Sequence, residues 1–394
     1  MSEQSHGLQA NVQICARCIY DERVPSISFD NEGVCNYCHL IDDMKEMFGT
    51  GTPAGKLKLE NTFEQIKRDG HGKRYDCVIG VSGGTDSSFM LHLAKEQGLR
   101  PLAVHYDNTW NSAIATQNLH KVLKALDIDL ATKVMHNKEI DDIHRSFLFA
   151  DLAELEAPTD LGAAEYVYRA AAQHGVKYIL EGHSFVTEGI SPLGDNYFDG
   201  KFIQSVHAQY GRLPMKTYPL MTFANFMRWT VFSRIKKIRP FWYLDYSKEN
   251  ARAFLQSNFD WEYYGGHHLE NRMSAFLHSV YLPGKFDRDC RNNTLAALAR
   301  EGATTREQAW REYNLPPHVE ENIVTYFVKR MGLSRGQFDD IMARPRRNWR
   351  EFPSYKRRFE LLRPLFYSLA KAELVPMSFY LKYCFPLPQT GGAR

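Results

Sequence analysis

From Tyr75 to His183 the chain alternates short apolar runs with stretches whose apolar residues recur every three or four positions. The runs are YDCVIGV, RPLAVHYD, LATKVMH and VKYILEGH. Between them lie SSFMLHLAKEQG, AIATQNLHKVLKALD and AAEYVYRAAAQHG. A shift from near-continuous apolarity to a 3.6-residue period marks strand–helix–strand units. Strands apolar on both sides need helices on both faces, so the pattern predicts an α/β fold built on a doubly wound parallel sheet. A later run, KIRPFWYLD, is expected to supply one more strand.

Two other zones flank this core. Residues up to about 55 carry four cysteines and a turn-rich run, FGTGTPAGK, that reads as a linker. From about residue 263 the chain is helix-leaning and polar, with a basic stretch, ARPRRNWREFPSYKRRFELLR. The expected division is therefore 1–55, 56–262 and 263–394, within what 394 residues allow. A net charge of +3 is too small to argue for a polyanion, so nucleic acid is not an expected partner. No apolar stretch approaches the roughly 18 residues of a spanning helix, and MSEQSHGLQANVQ lacks the apolar block of a signal peptide. A cytoplasmic location is expected.

The cysteines fit that expectation. CARCIYDERVPSISFDNEGVCNYC places Cys15, Cys18, Cys35 and Cys38 in two Cys-x-x-Cys knuckles. Four thiolates at this spacing can surround zinc tetrahedrally, with DNEG turning the chain before the second knuckle. Two matched knuckles leave no open coordination position, so a closed structural zinc ribbon is expected.

The stretch CVIGVSGGTDSSFMLHLAKEQG sets a glycine pair between the first strand and its helix. Gly83 and Gly84 let backbone N–H groups approach an anion with no Cβ in the way. The helix starting near Asp86 adds its unpaired N–H groups, and Ser82 and Ser87 add hydroxyls. This is a phosphate nest at the carboxyl end of a parallel strand. Neither a Gly-x4-Gly-Lys-Ser/Thr loop nor a Gly-x-Gly-x-x-Gly loop follows any strand.

The pattern Ser-Gly-Gly-x-Asp-Ser on the first strand resembles the pyrophosphate loop of the N-type ATP pyrophosphatases. That resemblance implies a PP-loop, adenine-nucleotide alpha-hydrolase type of sheet, ATP with Mg2+, and cleavage between the α and β phosphates. It implies nucleotide-binding roles for Ser82, Gly83, Gly84, Asp86 and Ser87. The segment VHYDNTW, with Asp107, matches the edge near adenine and ribose. EGHSFVTEG places Gly182 and His183 in the segment lining the nucleotide, with Glu188 near magnesium.

The nucleophile separates the members of that superfamily. A tRNA-thiolating adenylase needs cysteines near the loop, whereas this chain has only Cys77, Cys290 and Cys384 beyond the knuckles. Ammonia is the expected nucleophile, yet no Gly-x-Cys-x-Gly glutaminase elbow is present. Over most of the chain the zinc-ribbon segment, the loop, IRPFWYLDYSKENA and WEYYGGHHLENRMSAFLHSVYLPGKFDRDCR resemble the N-acetyl sugar amidotransferases of bacterial surface-polysaccharide synthesis. His267 departs from that family's lysine. The resemblance implies an acetamido nucleotide sugar as substrate in lipopolysaccharide O-antigen or related glycan synthesis. It also implies ammonia from a separate glutaminase subunit with a cyclase-like companion. Within it, Asp86 serves catalysis, Lys285 and Arg291 stabilise phosphoryl charge, and His268 and Glu270 contact the sugar or move a proton. The alternative is thiolation of tRNA.

Overall fold

Among the described residues, five strands form one wholly parallel sheet in the order β3-β2-β1-β4-β5. They are β1 (Cys77–Gly80), β2 (Pro101–Asp107), β3 (Leu130–Val134), β4 (Tyr178–Leu180) and β5 (Lys236–Ile238). This computed structural model describes residues 12–190, 192, 196–266 and 269–385. Registers run Val78 to Leu102, Val78 to Ile179, Ala103 to Leu130 and Tyr178 to Lys236. The three central strands are almost wholly buried, while β3 and β5 are partly exposed edges. The apolar runs read as two-sided strands are thus covered on both faces.

Helices α1 (Asn36–Phe48) and α2 (Pro53–Asp69) precede the sheet, and α3 (Thr85–Glu96), α4 (Ala113–Leu126), α5 (Asn137–Phe149) and α6 (Ala157–Gln173) interleave with it. Cys77, Ile79 and Val81 face a core shared with α2, α3 and α4. Val78, Leu102 and Val104 face the opposite core with α6. The short α7 (Phe185–Glu188), α8 (Gly200–Tyr210) and α9 (Phe223–Met227) separate β4 from β5, and α10 (Lys248–Phe259) returns over α3. The strand expected over 237–245 is shorter than the sequence suggested. Pro240 has no N–H for a ladder, and residues 240–242 turn into a 3-10 helix instead.

Beyond residue 270 the described chain is helical: α11 (Arg272–Phe276), α12 (Leu282–Phe286), α13 (Arg291–Arg300), α14 (Arg306–Tyr313), and five more α-helices ending with Met377–Tyr383. The fold class expected from the sequence is the one observed. One large core, from Tyr106 to Phe352, joins α5 and α8 to these later helices and so crosses the 262/263 division.

Buried carboxylates tie loops to this frame. Glu139 on α5 accepts the amides of Lys216, Thr217 and Tyr218, and Asp142 one turn on accepts those of Arg212 and Leu213. Each loop amide thereby finds a partner out of water. The N-terminal segment folds around Cys15, Cys18, Cys35 and Cys38, all fully buried, with Ile19, Tyr20 and Tyr37 beside them. No described helix is long and apolar enough to cross a membrane.

Candidate functional site: a phosphate loop between two cavities

The site forms where β1 ends. Two helices that neighbour the site begin with a capping side chain: Ser112 accepts from Ala115 N at α4, and Ser247 from Asn250 N at α10. Helix α3 begins instead with Gly84 and has no side-chain cap, which leaves its first turn open toward a ligand. Gly83 has φ +83°, and a Cβ there would lie 2.0 Å from the Ala115 carbonyl oxygen. Only glycine fits that position. Trp261 Nε1 donates to the Gly83 carbonyl at 3.2 Å and fixes the peptide from behind.

Ser82 and Ser87 close the loop. Their hydroxyls are 3.5 Å apart, Ser82 N donates to Ser87 Oγ at 3.3 Å, and Gly84 N donates to Ser82 Oγ at 3.2 Å. These hydroxyls and the bare helix end line a cavity of about 230 Å3 with Asp86, Gly182, His183, Glu188, Lys248, Tyr264 and Glu270. A Cβ on Gly182 would stand 3.1 Å from the Asp86 carbonyl, so this glycine lets β4's exit loop lie against the start of α3.

Charge in the cavity is organised around Lys248, at the start of α10. Its ammonium lies 2.8 Å from Asp86 Oδ2 and 3.0 Å from Glu188 Oε1. Burial works against that cation, but Asp86 and Glu188 outweigh it and hold its pKa above the ordinary lysine value. Tyr246 donates its hydroxyl to Asp86 Oδ1 at 2.5 Å. His183 sits 3.8 Å from Glu188 and receives the Trp242 indole N–H on Nδ1 at 3.3 Å. Burial lowers the His183 pKa, and with Nδ1 accepting the indole N–H the ring turns Nε2 toward Glu188. A magnesium ion reaching Asp86 or Glu188 therefore meets carboxylates that already share an ammonium.

Ser82 and Glu270 also border a second cavity, of about 510 Å3. Its wall includes His105, Asn108, Asn111, Glu154, Glu156, Asp160, His278, Arg288 and Cys290. Glu270 is placed between the two by the chain around it. Its carbonyl accepts from Ser112 N at 2.8 Å, Asn271 bridges to Asn111, and Arg272 N donates to the Trp110 carbonyl. The helical region thereby docks on the loop after β2. Asp107, the last residue of β2, accepts the Thr109 amide at 2.7 Å and the Asn111 side-chain amide at 3.5 Å on the same carboxylate oxygen.

The structure thus brings together Ser82, Gly84, Asp86, Ser87, Gly182, His183, Glu188 and Glu270, with Gly83 turning the loop. Three expected residues stand elsewhere: Asp107 lines neither cavity, and two others lie farther off. Lys285 is buried in the helical region, with its ammonium on Asp151 Oδ1 at 2.9 Å and on the Ile341 and Arg344 carbonyls. Arg291 is spent on Asp289 and on the carbonyls of Glu312, Tyr313 and Leu315. Both basic groups brace chain turns, which corrects their expected phosphoryl role. His268, like His267, lies outside the described residues. Sequence reasoning missed Lys248, Tyr246, Trp261 and Tyr264. Their one signal was a lysine directly after a helix-capping serine in DYSKENA, close behind the last strand.

The four cysteine sulfurs all lie within 4.8 Å of one another, and no other such group of potential metal ligands occurs among the described residues. The separations Cys15–Cys38, Cys18–Cys35 and Cys35–Cys38 are 3.8, 3.8 and 3.6 Å. A tetrahedral zinc with arms near 2.3 Å sets its sulfurs about 3.8 Å apart, so the group fits that ion. Backbone amides of Arg17, Cys18 and Cys35 point at Cys15 Sγ, as metal thiolates require.

Comparison with known proteins adds a domain. Residues 270–365 match the family model described as "LPS biosynthesis protein WbpG-like, C-terminal domain". The uncharacterised protein MJ1599 of Methanocaldococcus jannaschii is 28% identical over 171 residues, 43% of this chain. The match spans 58% of that relative's length. Among solved structures, NMN synthetase from Francisella tularensis aligns at 15% identity and TM-score 0.27, over 51% of this chain and 84% of that one. The NH3-dependent NAD synthetase from Campylobacter jejuni aligns at 12% identity and TM-score 0.30, over 74% and 98%.

Proposed function

We propose, on the match of residues 270–365 to the WbpG-like C-terminal domain of LPS biosynthesis proteins, that the chain is an ATP-dependent amidotransferase of an N-acetyl sugar. The observation that carries this reading is the uncapped glycine loop at the end of β1. It shares Ser82 and Glu270 with a larger cavity whose outer wall the WbpG-like domain supplies. A nucleotide gripped by its outer phosphates in the smaller cavity would present its α phosphorus toward the larger one.

The acetamido oxygen of the sugar attacks the α phosphorus, and the bond from that phosphorus to the bridging oxygen of pyrophosphate breaks. Ser82, Ser87 and the amides at the start of α3 hold the departing pyrophosphate. Ammonia then adds to the imidate carbon, gives up a proton, and expels AMP to leave an acetamidino group. Glu270, facing both cavities, is the carboxylate placed to take that proton. Lys248 keeps Asp86 and Glu188 fixed as the phosphates enter. Magnesium arriving with ATP supplies further neutralisation of phosphate charge. The nitrogen comes from a separate glutaminase subunit with its cyclase-like companion, and the substrate is an acetamido nucleotide sugar of lipopolysaccharide synthesis.

The test mixes protein, ATP, ammonium and acetamido nucleotide sugars. AMP, pyrophosphate and a sugar bearing NH in place of oxygen are expected; ADP with orthophosphate overturns the reading. One observation favours a second reading, thiolation of tRNA: Cys290 borders the larger cavity. Sulfur incorporation into tRNA that disappears in Cys290→Ser would establish it in place of amidation.

A further inference from the structure

The cysteine group stands among the N-terminal residues, but its surroundings come from far along the chain. Its apolar shell is completed by Leu295 and Ala296 of α13 and Ala309 of α14, with Trp310 and Tyr313 packed against it. Tyr20 donates its hydroxyl to Asn293 Oδ1 at 2.9 Å, and Lys45 pairs with Glu301 at 2.7 Å. Two guanidinium groups from the same hairpin reach the cysteines. Arg300 Nε donates to Cys38 Sγ at 3.3 Å, and Arg306 Nε donates to the carbonyls of Cys15 and Cys18 at 2.8 and 3.1 Å.

Charge explains why these two arginines are there. Arg17 and Arg23 of the ribbon already pair with Asp42 and Asp21. Arg300 is only 7% exposed, and the described ion pairs give neither it nor Arg306 a carboxylate. A buried guanidinium without an anion is costly. Arg306 also occupies the first turn of α14, where the helix dipole disfavours a cation. Four thiolates around one divalent ion leave a net charge of −2. Arg300 and Arg306 together supply +2.

We infer that Arg300 and Arg306 are the counter-charges of the four-cysteine metal centre, and that residues 12–48 and the α13–α14 hairpin therefore form one metal-dependent folding unit. The unit joins the N-terminal segment to the start of the helical region. Its α13 lies against α7, where a Cβ on Gly189 would stand 3.1 Å from the Asn293 carbonyl. The inference holds whatever reaction the chain performs.

Hydrogen exchange of the zinc-loaded full chain, before and after metal removal by a chelator, tests it. Amides over 291–313 are expected to lose protection together with those of 12–48. Retained protection over 291–313 while 12–48 opens overturns the inference. Arg300→Met should also speed zinc transfer to a colorimetric chelator on the order of 10- to 100-fold, the range seen when outer partners of metal ligands are removed. Arg300→Lys, which keeps the charge, should recover most of that loss. An unchanged rate in Arg300→Met, or equal loss in both variants, rejects the counter-charge role. Should Arg300→Met fail to fold, the exchange experiment on the unaltered chain decides alone.

Discussion

Replacing Lys248 by methionine keeps the side chain's apolar stem and removes its charge, which isolates the ion network at the phosphate loop. Lys248, Asp86 and Glu188 are each about four-fifths buried, with side-chain exposures of 21%, 20% and 19%. At separations of 2.8 and 3.0 Å, each contact has a gross attraction of about 6 kcal/mol at an effective dielectric near 20. Desolvation offsets much of it, and deleting one member of a buried pair costs about 3–5 kcal/mol. Partial exposure puts this site at the low end, about 3 kcal/mol, or a fall in Tm of roughly 4 °C for a chain of 394 residues. The effect carries a pH signature. Burial already raises the Asp86 pKa, and Lys248 is the main group opposing that rise. Without Lys248 the pKa rises further, so the folded variant binds a proton that the unfolded chain does not. Its stability then increases as pH falls through the raised value. Thermal unfolding followed at pH 8, 6 and 5 should show the largest deficit at pH 8 and a shrinking one at pH 5. A Tm equal to that of the unaltered protein, or a deficit that does not change with pH, refutes the reasoning.

Three other outcomes are expected. Gly83→Ala should cut AMP release about 100-fold or more with the far-UV spectrum unchanged, because its Cβ would collide with the Ala115 carbonyl and displace the loop; unaltered turnover contradicts this. Burial favours the neutral form of Glu181, yet Lys237 and Arg239 outweigh it and hold the carboxyl at about 2. Relative to 4.5, that depression corresponds to about 3 kcal/mol, fully present above the ordinary glutamate value and lost as pH falls toward 2. Urea midpoints of the unaltered protein and Glu181→Gln should therefore differ at pH 7 and converge in acid, and parallel curves would exclude the ion pair as the cause. Cys38→Ser should reduce bound zinc below one equivalent by elemental analysis, whereas a full equivalent retained through chelator dialysis removes Cys38 from the metal set.

How far the sequence reveals this site depends on the range over which each signal acts. The glycine loop is legible because its parts are local. Strand, turn and helix start lie within ten residues, and φ > 0 at Gly83 is a property of one residue in one turn. The cysteine knuckles are legible for the same reason, since Cys-x-x-Cys fixes two ligands by chain geometry alone. Glu188 follows closely on β4 and was within reach of the same logic. Lys248 was not. It meets Asp86 across 162 positions of sequence, through the packing of α10 on α3, and only the fold brings them together. Tyr264 and Trp261 reach the loop the same way, from a connecting segment with no periodic pattern of its own.

Lys285 and Arg291 show the converse. In sequence they are basic residues in a polar stretch, with nothing to separate a phosphate clamp from a brace. The difference lies in what is already bound. Lys285 has three oxygen partners inside the helical region, and Arg291 has Asp289 and three carbonyls. With their donors filled, neither has much left to offer a nucleotide; withdrawing Lys285, whose side chain is 1% exposed, would strand Asp151, and withdrawing Arg291, 29% exposed, would leave Asp289 without its partner. The basic groups available to an entering phosphate are those that face a cavity, and at this loop that position belongs to Lys248, between two carboxylates that hold it in place.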